Sequence, residues 1–110
     1  MHVFEVGPGE ELMTSIETQA KAAGLANGAV VSVIGATHEF AVSTMLSQGE
    51  PKETVTSYEL PAELSGNGEI VDGTVHLHVV LAIEGDEGIA GHLHYATIHT
   101  SPVRVYVLPV

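Results

Sequence analysis

The chain has no cysteine and no tryptophan, and only three of its 110 residues, Lys21, Lys52 and Arg104, carry a permanent positive charge. Without cysteine there is no disulfide, no thiolate metal site and no cysteine nucleophile. Proteins that grip duplex DNA replace counterions at the phosphates with Lys and Arg, and three scattered cations cannot form that footprint. Direct nucleic-acid binding is therefore disfavoured. No apolar run approaches the roughly 20 residues needed to cross a bilayer. The start, Met1-His2-Val3-Phe4-Glu5-Val6, lacks both the basic start and the apolar stretch of a signal peptide. These absences lead to the expectation of a cytoplasmic protein that does not engage membranes.

Fourteen acidic residues against three basic ones give a formal charge of −11, although charged residues make up only 15% of the chain. The acidity thus comes mainly from scarcity of base. A hydrophobic content of 45% supports a packed core and excludes disorder driven by charge. At this length the expectation is one domain over residues 1–110. Seven histidines are the compositional anomaly.

The hydrophobic period divides the chain clearly. His2 to Val6 reads as a short strand closed by Gly7-Pro8-Gly9. Glu10 and Glu11 then open a helix, where negative charge complements the N-terminal end of the dipole. Leu12, Ile16, Ala20 and Ala23 give it one apolar face, and Gly24 is a natural stop. From Ala29 the pattern becomes β-branched: Ala29 to Ile34 reads as a strand covered on both faces. Further strands are expected over Thr37–Leu46, Glu53–Leu60, Pro61–Val71, Thr74–Ile83, Ile89–Ile98 and Val103–Leu108, with a turn at Gln48–Lys52. Gly66 and Gly68 signal a bulge or a close backbone approach. The sum is an α+β fold with a large, mainly antiparallel sheet of about seven or eight strands and one N-terminal helix. One helix cannot cover so large a sheet, so part of its apolar surface must be buried by curling or by self-association.

In Thr74 to Ile83 the odd positions are wholly apolar, and His76 and His78 share the opposite face, their Cα atoms about 6.6 Å apart. For an isolated pair, two surface histidines on a half-exposed strand are the commoner arrangement. Here a second pair, His92 and His94, follows on the next strand. A hairpin loop centred on Gly85 sets His78 opposite His92 and His76 opposite His94; one centred on Asp86 sets His78 opposite His94. Either register gathers four imidazoles on one face, whereas a bulge at Gly91 would separate them. Imidazole donors suit a divalent transition metal, with zinc, nickel, copper or iron all preferred over magnesium or calcium. Three histidines and a water would resemble an open zinc site that lowers the water's pKa to about 7. Hydrolysis would further need a general base; Glu39, Glu59 and Glu63 are available, but nothing in the sequence places them near the histidines. His38 reads as a solvated strand residue and His99 as a backbone-bonded one. No nucleotide-binding glycine fingerprint or Ser/His/Asp order is present.

The order of features resembles the plants-and-prokaryotes conserved (PPC) domain. Gly9-Glu10-Glu11-Leu12, Val31-Ser32-Val33-Ile34-Gly35-Ala36, Tyr58-Glu59-Leu60 with Leu64-Ser65-Gly66, and His76-Leu77-His78 with Gly91-His92-Leu93 are similar to that family's motifs, in order, over nearly the whole chain. The resemblance implies a homotrimer and a site at the signature histidines, so His76, His78 and His92 are the expected metal ligands, with His94 a fourth candidate; the donor chemistry makes zinc the first choice of ion. Family members are commonly described as DNA-binding, and in plants the domain accompanies AT-hook segments. This chain has no Arg-Gly-Arg motif, carries Ala90 where the family has a glycine, and interrupts the family's apolar run with Pro61-Ala62-Glu63. The expected function is a metal-binding homotrimeric module with a regulatory, DNA-associated role exerted through protein partners, with room for a small anionic ligand. The alternative is a metal-dependent enzyme that uses three histidines and a metal-bound water on a small substrate.

Overall fold

The computed structural model describes residues 1–48 and 54–110, so most of the turn expected at Gln48–Lys52 lies outside the described residues. In chain order the elements are β1 (His2–Val6), α1 (Leu12–Ala22), β2 (Gly28–Thr37), β3 (Glu39–Ser43), β4 (Thr56–Tyr58), β5 (Ala62–Val71), β6 (Thr74–Ile83), β7 (Glu87–Thr97) and β8 (Val103–Pro109). The eight strands form one sheet in the order β1-β8-β2-β5-β6-β7-β3-β4. Every pairing in it is antiparallel.

Only His38 separates β2 from β3, yet three strands stand between them in the sheet. The sheet must therefore curl sharply at this corner. Thr37, fully buried, ties the corner down: its hydroxyl donates to the Thr97 carbonyl at 2.6 Å. On the concave side the core gathers Phe4, Leu12, Ile16, Val33, Phe40, Leu77, Leu81 and Val105, among others. Helix α1 covers the remaining opening, burying Leu12, Ser15, Ile16 and Ala20. Ala23, expected on that apolar face, instead ends the helix as its C-cap and is exposed.

Glu11 caps the helix and does more than a usual cap. Its carboxylate accepts the Met13 and Thr14 amides at 2.8 and 2.9 Å and the Ala96 amide of β7 at 3.1 Å. Glu17, one and a half turns on, accepts the Val75 amide of β6 at 2.9 Å. Two carboxylates thus fasten the helix to the two strands that carry the histidine pairs.

The double covering expected for Ala29–Ile34 is not met within one chain. A register shift between Val30 and Val33 marks an irregularity in β2, and it leaves Val31 and Ile34 exposed. The alternation resumes across the bulge because an inserted residue reverses which face the following side chains meet. Gly66 and Gly68 themselves sit in continuous pairing with β6. Both readings given to these glycines are found: the irregularity of β2 lies opposite Gly66 and Gly68, and on the other side the backbone of β6 approaches them closely. A Cβ on Gly68 would run into the His76 carbonyl oxygen, and one on Gly66 would meet the His78 carbonyl.

Candidate metal centre

Two hairpin registers build the site. Asp72 and Gly73, with φ of 48° and 82°, form a two-residue turn of the kind that matches strand twist. The turn sets Glu69 opposite His76 and Asn67 opposite His78. On the other side, a loop centred on Gly85 sets His78 opposite His92. Of the two registers expected, that centred on Gly85 is observed and that centred on Asp86 is not. Gly91 carries no bulge; its Cα faces β3 so closely that a Cβ would lie 2.5 Å from the Ser43 carbonyl oxygen. Ala90, in place of the family glycine, stands opposite Val80 on the exposed face and is accommodated there.

His76, His78 and His92 come together on the convex face. One ligating nitrogen from each can be chosen so that all lie within 4.8 Å of one another. The ring centroids are 5.1 Å apart for His76 and His78, 4.5 Å for His76 and His92, and 6.3 Å for His78 and His92. A zinc ion at about 2.0–2.1 Å from each nitrogen needs those atoms roughly 3.4 Å apart. His76 and His78 are exposed and His92 is half-buried, so closing that difference calls mainly for rotation of the first two rings. The donor set is all imidazole, which fits zinc or a neighbouring first-row ion and does not fit magnesium or calcium.

His94 is placed differently from expectation. The β6–β7 ladder ends at His78 and His92, so His76 has no strand partner in His94. The pairing of β7 with β3 jumps from Leu93 to Tyr95, which makes His94 the extra residue of a bulge. Its Nε2 lies 2.7 Å from the Ser43 hydroxyl, and it falls outside the group of three.

An open depression of about 640 Å³ adjoins the centre, lined by Ser43, Met45, His76, His78, Ala90 and His92, among others. A smaller one of about 240 Å³ lies on the other side of His76 and His78, against Asn67 and Glu69. Glu69 is the carboxylate that the sequence reading missed. The three glutamates singled out there stand elsewhere: Glu63 is opposite Ala82 at the far end of β6, Glu39 is opposite Thr97, and Glu59 lines a different depression beside His38 and His99. The Asp72-Gly73 pair could have revealed Glu69, because a two-residue hairpin loop fixes the register of both strands.

The chain is thus a small β-rich module, an antiparallel sheet with one docked helix and an outward triad of histidines. A sequence profile of the Plants and Prokaryotes Conserved (PCC) domain matches residues 1–110, and the chain belongs to that family. No curated protein sequence matches the chain. Among solved structures, a metal-containing protein from Archaeoglobus fulgidus is 27% identical, with a TM-score of 0.78 over 98% of this chain and 77% of that one. A proposed DNA-binding protein from Ralstonia eutropha is 18% identical, with a TM-score of 0.85 over 98% and 76%. Acetolactate decarboxylase from Bacillus subtilis subspecies spizizenii is 12% identical, with a TM-score of 0.67 over 98% of this chain and 53% of the enzyme. The latter two likenesses are of fold alone.

Proposed function

We propose that the chain is a metal-binding module in which His76, His78 and His92 hold a divalent transition metal, with zinc the first choice. The observation that carries this reading is the convergence of three ligating nitrogens within 4.8 Å. The metal-containing relative from Archaeoglobus fulgidus supports it. The module assembles as a homotrimer, as its family suggests. Exposed apolar side chains beside the centre support self-association: Ile34 and Val80 are 52% and 49% accessible, on either side of Ser65, with Ala82 and Ala90 on the same face. A regulatory role near DNA, suggested by the Ralstonia neighbour, runs through a protein partner, because a chain of charge −11 repels phosphate. Metal analysis of protein purified without an affinity tag tests the proposal. The expected content is one equivalent per chain, lost in His76→Ala and His92→Ala; a metal-free wild type that takes up no zinc refutes it.

A second reading, a metal-dependent enzyme on a small substrate, is favoured by the 640 Å³ depression that opens beside the triad. Acetolactate decarboxylase, an enzyme that shares this fold over about half of its own length, supports the reading. Bound metal would supply Lewis acidity there. Turnover that depends on metal and disappears with His76→Ala separates this reading from a binding module.

A further inference from the structure

Beside the triad, the Ser43 hydroxyl and His94 Nε2 are joined at 2.7 Å. Ser43 is only 3% accessible and is the direct cross-strand partner of His92. The His94 ring stands edge-on to the His92 ring, with centroids 4.8 Å apart and planes at 83°. His94 is therefore gripped at one end by a buried hydroxyl and pressed at the other against a residue of the triad.

We propose that Ser43 and His94 form a positioning pair that fixes the orientation of the His92 ring and so sets the centre's affinity for metal, while His94 itself does not coordinate. This rests on the metal-centre reading above. At the bulge the Ser43 hydroxyl restrains the His94 ring. A hydroxyl held in a closely packed strand pair is a fixed point, and tying Nε2 to it locks the ring. The locked ring then walls one side of His92 and narrows the range of that ring's rotation. Ordering a ligand before the ion arrives removes an entropic cost from binding, and losing an outer-shell contact of this kind typically weakens metal binding 10–100-fold. The bulge thus has a role: it moves the fourth histidine off the coordination point and turns it into a support.

The test is a cobalt(II) titration of the full untagged chain against a competing chelator, followed by visible absorption. Ser43→Ala and His94→Ala should each weaken cobalt binding roughly 10–100-fold. The double variant should be no weaker than His94→Ala, because the two side chains act as one unit. Band positions and the 1:1 stoichiometry should match wild type in all three. His94→Phe, which keeps a ring edge on His92 but loses the bond to Ser43 and cannot coordinate, should weaken binding no more than Ser43→Ala does. Far-UV circular dichroism and thermal unfolding of the metal-free variants establish that each is folded. The proposal is overturned if His94→Phe binds as poorly as His76→Ala, which would make His94 a ligand, or if Ser43→Ala and His94→Ala bind like wild type. A wild type that takes up no cobalt overturns the metal reading and this proposal together, whereas the variant outcomes against a metal-binding wild type bear on the positioning pair alone.

Discussion

His78 and His92 face each other directly across the β6–β7 ladder, and theirs is the last pair before the two strands part. Beyond it β7 bulges at His94 and continues against β3, while the start of β6 is capped from the side by Glu17 through the Val75 amide. The triad therefore sits where a well-paired hairpin opens. It is rigid enough to hold two histidines in register and open enough to admit a ligand from the convex side.

Metal should stabilise the fold through that junction. An ion that binds only the native state at a hundredfold excess over its Kd contributes about 2.7 kcal/mol. For a chain of this size each kcal/mol shifts Tm by about 4–8 °C. Zinc should raise the wild-type Tm by roughly 10 °C or more in scanning calorimetry, chelator should reverse the gain, and His76→Ala, His78→Ala and His92→Ala should each abolish it.

Gly68→Ala should be costly, since its Cβ would collide with the His76 carbonyl oxygen and lie 2.9 Å from Leu77 Cα. Forcing backbone apart in a packed sheet costs on the order of 1–3 kcal/mol, and the same displacement moves His76 out of the triad. Gly88→Ala is the control. Its Cβ meets only a Val80 methyl at 3.5 Å, so denaturant titration should find it neutral or slightly stabilised, as expected where alanine fits the native backbone.

Glu11→Ala removes both the helix cap and the tie to Ala96. Loss of a cap costs about 1 kcal/mol, and a part-buried amide left unpaired adds about 1–3. The urea midpoint should fall accordingly. Glu11→Asp should recover the cap share alone, because a carboxylate one methylene shorter reaches the helix amides but not β7.

Val80→Asp places a charge among the exposed apolar side chains beside the centre while leaving the concave core untouched. Sedimentation of the wild type should give the mass of three chains, and the variant should sediment as a monomer that still unfolds cooperatively. A monomeric wild type would show that these side chains serve some other contact.

Duplex DNA should not be shifted by micromolar protein in an electrophoretic titration at about 50 mM salt, where contacts to phosphate are at their strongest. A shift that diminishes steeply with added salt would contradict the charge argument.

What the residues disclosed on their own follows from local physics. Alternation over Thr74 to Ile83 assigned the strand and put His76 and His78 on one face, because side chains of a strand alternate with period two. The turn residues Glu84 to Gly88 left two hairpin centres open, Gly85 and Asp86, and the pairing itself decided for Gly85; the order of short motifs pointed to the family. The helix, a count of about seven or eight strands and a special backbone role for Gly66 and Gly68 were legible for the same reason: each depends on torsions and neighbours within a few residues. Tertiary structure alone decided the rest. That His94 bulges away from His76 depends on β7 changing partners from β6 to β3, a choice settled by non-local pairing. Ser43 reaches His94 from 51 residues away. The exposure of Ile34 and Val80 depends on which face α1 covers. Sequence period tells which side chains share a face, but the packing of distant strands determines what that face meets.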